Sequence, residues 1–280
     1  MNCSKFSKFG SAALAAVFIA AASPAFGQST LDHLVVNAPN APVTVHITQD
    51  GAAKLGTATD PITLVGASTG AISLTVEQIG ASGTQASLVK AYTTGTLANT
   101  ITLKQETADA TPGAVNDVWA KILLGTAGAP AANQHVTLLQ RGDKAQATIT
   151  SVGDNLSAYI IQQGSNSGVS SLIITNDGAN NIYGTAGSPV TLGALSTLNL
   201  SNTGAGNTYA VALAAGSTAS ITNTGNSNTY NIASQQAGDS ASLVINGSNN
   251  AFNFDFSTTY GSGARQGSCR PFHAASGCLS

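Results

Sequence analysis

A phrase of six residues, Gly-x-x-Asn-x-Tyr/Phe, recurs four times in the second half of this 280-residue chain and constrains the fold more than any other feature. The glycines that open the phrase are Gly178, Gly204, Gly225 and Gly247, at intervals of 26, 21 and 22 positions, and the longest interval holds an insertion, TAGSPV. A unit this short cannot bury an apolar face alone, so the repeat predicts a stack in which each unit covers the next.

Within one unit, the side chains alternate with the two-residue period of a β-strand. In the stretch ITNTGNSNTYNI, residues 221–232, apolar or amide residues occupy every second position on both sides of a short turn. This register predicts that Asn228 and Tyr230 point inward, whereas Thr229 and Asn231 point outward. The predicted fold is therefore all-β: a β-solenoid of stacked strand-turn-strand coils of about 22 residues.

Stacking brings equivalent residues of successive coils into contact. Parallel strands lie about 4.8 Å apart, so repeated amides form hydrogen-bonded ladders and repeated aromatic rings stack. The repeats predict an asparagine ladder of Asn181, Asn207, Asn228 and Asn250, and an aromatic ladder of Tyr183, Tyr209, Tyr230 and Phe252. Glycines, which adopt positive φ at little cost, are predicted at the turns; they are Gly51, Gly80, Gly142, Gly153, Gly164, Gly178, Gly204, Gly225 and Gly247.

A second phrase, Gln-x-Gly, starts at Gln49, Gln78, Gln140 and Gln162. The last two stand in LLQRGDKAQATITSVGDNLSAYIIQQGSNSG, which resembles the curlin repeat, Q-x-G-x-x-N-x-A. The resemblance covers about residues 134–256 well and 31–103 poorly. It implies a secreted subunit of an extracellular bacterial amyloid fibre, with these glutamines and the asparagines of the first phrase as ladder residues. In the later units asparagine takes the place of glutamine, at Asn176, Asn202 and Asn223.

The N-terminus has the pattern of a cleavable export signal. Lys5 and Lys8 precede the apolar run SAALAAVFIAAA, and small residues follow it at Ala25 and Gly27. Because the run is shorter than the roughly 20 residues of a membrane-spanning helix, it predicts a signal peptide at residues 1–27, cleaved before Gln28. We expect export through the periplasm to the cell surface or medium, with no transmembrane segment after signal removal.

Composition divides the remaining chain into four parts. These are a divergent β-repeat region at 28–107, an Ala/Gly/Pro-rich segment at 108–133, the curlin-like repeats at 134–260, and a tail or cap at 261–280. The second part is either a loop that joins two solenoid segments or an edge coil with a long turn. In the tail, Cys269 and Cys278 would close a small disulfide loop in an oxidising compartment.

Charge and catalytic groups are scarce. Only 8% of residues are charged and the net charge is −2, which gives no electrostatic reason to expect nucleic acid as a partner. Four aspartates lie near predicted turns, where this residue commonly bonds the backbone; they are Asp143, Asp154, Asp177 and Asp239. His33, His46 and His135 are isolated in alternating stretches and are predicted on a solvated strand face. Cys269, Cys278 and His273 match no zinc spacing. We therefore expect neither an enzyme nor a cofactor or metal site.

Three functions remain open. The first is a structural fibre subunit or nucleator in a biofilm matrix, whose partners are further copies of itself and, as the resemblance implies, a nucleator subunit and a secretion pore. The second is a monomeric surface adhesin or ice-binding solenoid with rows of threonine such as Thr222, Thr224 and Thr229. The third is a polysaccharide-acting β-helix enzyme. The fibre interpretation accounts best for export, repeats and amide ladders together.

Overall fold

The architecture comes from a computed structural model of the chain. It describes residues 15–21, 29–31, 34–38, 42–50, 53–56, 62–66, 71–80, 85–93, 99–107, 118–125, 133–142, 144–164, 171–185, 187, 189–193, 195–214, 216–234 and 240–255. In these segments the only regular elements are strands, so the predicted all-β class is confirmed. The same segments contain no helix of the length and apolarity that a membrane span requires.

Within the described residues, twenty-two strands form two parallel eleven-stranded sheets. Sheet A contains β1 (Ala15–Ala21), β4 (Val43–Asp50), β7 (Ile72–Gly80), β9 (Asn99–Thr107), β11 (Gln134–Gly142), β13 (Ser157–Gly164), β15 (Ile182–Tyr183), β16 (Val190–Leu192), β18 (Thr208–Leu213), β20 (Thr229–Ser234) and β22 (Ala251–Asp255). Sheet B contains β2 (Ser29–Leu31), β3 (Val35–Ala38), β5 (Ala53–Leu55), β6 (Ile62–Gly66), β8 (Gln85–Thr93), β10 (Val118–Leu124), β12 (Ala145–Val152), β14 (Ser171–Asp177), β17 (Thr197–Thr203), β19 (Thr218–Thr224) and β21 (Ser240–Asn246).

The chain alternates between the two sheets, and each strand pairs with its counterpart one coil later, which makes the predicted β-solenoid. Near the C-terminal end of the stack, one coil contains 21 or 22 residues, as the repeat predicts. Coils are longer in the first half, where the step from Gln78 to Gln105 takes 27 residues and the next step takes 35. The additional residues lie between strands, so the pairing of the strands is unaffected.

The core lies between the sheets. Inward positions along a strand are buried and the intervening positions are partly or fully exposed, as in β10 and β14. Asn228 and Tyr230 are 0% exposed whereas Thr229 and Asn231 are partly exposed, so the predicted register is confirmed. Inward positions carry mostly Leu, Ile, Val and Ala, whose burial provides the main driving force for stacking.

Three structural features are not predicted by the repeat. β10 lies inside the Ala/Gly/Pro-rich segment and pairs with both β8 and β12, so strands before and after this segment share one sheet. Residues 184–189, which hold most of the insertion TAGSPV, separate β15 from β16, two short strands at one level of sheet A. β1 lies in the predicted signal peptide and pairs with β4.

Candidate functional site in the stacked ladders

Glutamines form a hydrogen-bonded ladder inside sheet A. Strand pairing places Gln49, Gln78, Gln105, Gln140 and Gln162 in one column. Nε2 of each glutamine after the first donates to Oε1 of the glutamine one coil earlier, at 2.7–3.1 Å. All five side chains are at most 1% exposed. The structure thus brings together the four glutamines of the Gln-x-Gly phrase and adds Gln105, which the phrase misses because Thr107 replaces its glycine.

The glutamine amides also connect the two sheets. Nε2 of Gln105 donates to the backbone carbonyl of Trp119 at 2.8 Å, and Nε2 of Gln162 donates to that of Ser171 at 3.0 Å. Both carbonyls belong to sheet B. The ladder stops after Gln162, because the next coil places Leu192 at this position.

Asparagines form a second ladder just before the sheet A strands of the repeats. The members are the predicted Asn181, Asn207, Asn228 and Asn250. Oδ1 of each of the last three accepts a hydrogen bond from the backbone N–H of the asparagine one coil earlier, at 2.7–2.9 Å. Side-chain bonds from Nδ2 to Oδ1 join only the last two pairs, at 3.1 and 3.2 Å. The ladder therefore works mainly by capping the backbone N–H groups of residues that are 0% exposed, which would otherwise be unsatisfied.

A third ladder lies inside sheet B. Nδ2 of Asn176 donates to Oδ1 of Asn202, and Nδ2 of Asn202 donates to Oδ1 of Asn223, both at 2.7 Å. The sequence-based interpretation that these asparagines take the place of the glutamines is wrong, because they belong to the opposite sheet. Their amides also donate toward the C-terminal end, whereas the glutamines donate toward the N-terminal end.

Four aromatic rings stack in the interior, as the repeats predict. Ring centroids from Tyr183 through Tyr209 and Tyr230 to Phe252 are 5.2, 4.8 and 5.2 Å apart, with interplanar angles of 9°, 6° and 9°. The Tyr209 hydroxyl donates to Asn223 Oδ1 at 3.2 Å, which links this ladder to that of sheet B. Burial raises the pKa of Tyr183 and Tyr209 well above the usual range, and raises the pKa of Tyr230 to about 12.

The turn glycines of the repeats form a column of their own. A Cβ at Gly178, Gly204, Gly225 or Gly247 would lie 1.9–2.0 Å from the carbonyl oxygen of the glycine one coil earlier, the first of which is Gly153. Successive turns also share backbone hydrogen bonds, such as Gly204 N–H to Thr224 O at 2.9 Å. Close backbone stacking therefore requires glycine here. Gly80, Gly142 and Gly164 instead end strands of sheet A at the other corner, and Gly51 lies outside the described residues.

The outer surface differs between the two halves of the solenoid. On β9 and β11, Lys104 Nζ lies 3.1 Å from Glu106 Oε2, and Arg141 Nη1 lies 3.7 Å from Glu106 Oε1. By contrast, residues 171–255 contain no Lys, Arg, His or Glu, and three aspartates are their only charged residues. Hydroxyl and amide groups therefore dominate the surface of the second half.

Threonines and serines cover part of the outer face of sheet B. Thr175, Ser201 and Thr222 are exposed neighbours in one column, and Thr203 and Thr224 in the next. Thr229 lies on sheet A instead. The threonine rows considered from sequence, with Thr222, Thr224 and Thr229 as examples, therefore lie on two sheets, because the turn between β19 and β20 carries the chain to the other sheet.

The described residues offer little for catalysis or metal binding. They contain no group of three His, Cys, Asp or Glu side chains that could hold a metal ion. His46 and His135 lie on the outer face of sheet A, as predicted, whereas His33, His273, Cys269 and Cys278 fall outside the described residues. A shallow cleft of about 280 Å³ opens beside the insertion, where Tyr159 and Ile182 line it.

The interior columns stop at a partly exposed coil. On β21, Leu243 and Ile245 pack against the core but are only partly buried, although the preceding residue of the Leu243 column, Ile221, is 0% exposed. On β22, Phe252 is 49% exposed. The C-terminal end of the described stack thus presents apolar side chains and a strand edge.

Comparisons of this chain with protein families, curated proteins and solved structures gave no match.

Proposed function

We propose that this protein is a secreted structural subunit or nucleator of an extracellular amyloid-like fibre, which grows by end-to-end stacking of β-solenoids. The observation that carries the proposal is the pair of asparagine and aromatic columns that run along the repeats and end at a partly exposed coil, after a glutamine column that spans the earlier coils. A second copy placed on this coil would continue the strand pairing of both sheets.

Surface charge also favours this function. Strands that stack in register bring equivalent positions of successive coils to about 4.8 Å spacing, at which like charges repel. The second half of the solenoid carries only aspartates, at three positions in 85 residues. Repulsion between stacked copies is therefore weak at this end.

Export and partners belong to the same proposal. The signal-peptide pattern supports secretion through the periplasm, and the curlin-like phrases support a place beside a nucleator subunit and a dedicated secretion pore. The main partner is the protein itself, as a homopolymer. Nucleic acid has no place in this proposal, since residues 171–255 contain no Lys, Arg or His.

Purified protein of residues 28–280 tests the proposal directly. We expect unbranched fibres by electron microscopy and a meridional reflection near about 4.8 Å in fibre diffraction. A variant that lacks residues 261–280 is the matched control, because the tail could itself cover the last strand. If both proteins remain monomeric for days at high concentration, the fibre function is wrong.

The hydroxyl face of sheet B favours a second candidate, a monomeric adhesin or ice-binding solenoid. Its exposed Thr and Ser columns repeat at the spacing of the strands and carry no charge between β17 and β19. Thermal hysteresis or binding to a glycan surface by monomeric protein, abolished by Thr222→Val with Thr224→Val, would support this candidate. The same pair of substitutions should leave fibre formation intact if the first function is correct.

A further inference from the structure

The N-terminal end of the stack changes shape if the signal peptide is removed. β1 is the terminal strand of sheet A, and β2 and β3 are the terminal strands of sheet B. Cleavage before Gln28 removes β1 but leaves β2 and β3. Sheet B then extends one strand beyond sheet A, and the outer edge of β4 loses its strand partner.

The C-terminal end has the opposite step. The chain passes from β21 in sheet B to β22 in sheet A, and β22 is the last strand of the described residues. Within this part of the chain, sheet A extends one strand beyond sheet B. The two ends are therefore complementary half-coils: one offers a strand of sheet A, and the other offers strands of sheet B.

Strand register shows that these half-coils match. When the pairings are followed from strand to strand, β1 and β22 occupy the same columns of sheet A. β22 of one copy could therefore pair with β4 of another copy in the register that β1 has. If β22 of one copy takes the place of β1 on the next copy, the aligned residues are Phe252 with Val45, Ala251 with Thr44, Leu243 with Leu34, and Val244 with Val35.

The aligned inward residues are apolar on both sides of this join. Val45 and Leu34 are 0% exposed with β1 in place, and removal of β1 uncovers the edge of the column that contains Val45. Leu243 is partly buried and Phe252 is 49% exposed at the opposite end. Burial of these surfaces and pairing of two strand edges would both stabilise the contact.

We propose that two copies join through a composite coil, in which β22 of one copy and the β2–β3 segment of the next copy lie at the same level of the stack. This inference rests on the proposed function and specifies its interface. It also gives the signal peptide a second effect: while β1 remains, it occupies the place of the incoming β22 and blocks growth at that end.

Disulfide trapping tests the register of the join. Two single-cysteine proteins of residues 28–280, Ala251→Cys and Thr44→Cys, are made with Cys269 and Cys278 replaced by Ser, mixed and oxidised. Facing residues on neighbouring parallel strands are about 4.8 Å apart, within the Cα separation of a disulfide. We expect linked heterodimers at about tenfold higher yield than from a control mixture of Ala251→Cys with Thr48→Cys, because four residues along a strand span about 13 Å.

A second pair examines the other sheet. Val244→Cys mixed with Val35→Cys should give heterodimers as well, since the composite coil aligns both sheets at once. In protein that retains residues 1–27, with Cys3 also replaced by Ser, both pairs should give the background yield of the control mixture.

The outcomes separate this inference from the fibre function. If fibres form but only like variants crosslink, Ala251→Cys with itself or Thr44→Cys with itself, the fibre function stands and the composite coil is wrong. If the two pairs crosslink only after deletion of residues 261–280, the chain's own tail lies beside β22 in the intact protein. That result would also overturn the composite coil. Monomeric protein without crosslinks, with and without the tail, would overturn both proposals.

Discussion

At the scale of single residues, the glycine column has the strictest requirement. A Cβ at Gly204 would lie 1.9 Å from the Gly178 carbonyl oxygen, and φ at Gly204 is 147°. We expect Gly204→Ala to lower the free energy of unfolding by about 3 kcal/mol or more, measured by denaturant titration. Gly187→Ala is the matched control, since its added Cβ would have no heavy atom within 4 Å, and it should change stability by less than about 0.5 kcal/mol. Equal losses in the two variants would contradict the stacking requirement.

The buried tyrosines give a pH dependence that also belongs to single residues. Burial raises the pKa of Tyr183 in the folded state, whereas an unfolded tyrosine keeps a pKa of about 10. The folded state then binds more protons above pH 10, so stability is constant below this pH and falls as pH rises toward and beyond 12.

Tyr183→Phe checks this dependence. The Tyr183 hydroxyl is buried without a hydrogen-bond partner among the described residues, so its removal should change stability at pH 7 by less than about 1 kcal/mol. Denaturant midpoints measured from pH 8 to 12 should fall less steeply in Tyr183→Phe than in the unmodified protein. Identical slopes in the two proteins would exclude Tyr183 as a cause.

At the scale of structural elements, each rung of the glutamine ladder depends on its neighbours. Gln105→Leu removes the donor to Gln78 and the acceptor of Gln140, and also leaves the Trp119 carbonyl without this donor. Buried polar groups left unsatisfied cost about 1–3 kcal/mol each, so we expect a loss of about 3 kcal/mol or more in unfolding free energy.

Gln162→Leu is the matched substitution at the end of the same ladder. Oε1 of Gln162 has no partner among the described residues, and the next coil already carries Leu192 in this column. The expected loss is about half that of Gln105→Leu, measured in the same titration. A larger loss at Gln162 than at Gln105 would show that the bonds to sheet B matter more than the ladder.

Elements with a strict repeat could be predicted from sequence, and others could not. The Gly-x-x-Asn-x-Tyr phrase predicts both the strand register and the aromatic stack. The two-residue period gives the side of the strand on which each residue lies, and the repeat gives its neighbour in the next coil. It does not reveal Gln105 or β10, since the coils there are lengthened by up to 13 residues relative to the repeat and lack the marker glycine. The phrase also cannot assign Asn176 to its sheet, because residues before a glycine at either corner look alike in sequence.

At the scale of the whole molecule, stability is a sum over coils and the contacts between neighbours, so the terminal coil should open first. The inward residues of β21 are only partly buried, whereas the inward residues of β19 are fully buried. In monomers, we therefore expect faster amide hydrogen exchange at 240–255 than at 197–224.

Assembly should remove this difference. If copies of residues 28–280, which lack β1, stack end to end, residues 240–255 and 43–50 gain protection on fibre formation, while 197–224 change little because their backbone groups are already paired on both sides. Mass spectrometry of exchanged monomers and fibres gives both values for each segment. Lateral association through the outer face of sheet B would instead leave 43–50 exchanging as in the monomer, because its open edge at β4 would remain uncovered, and that result would exclude growth by stacking of ends.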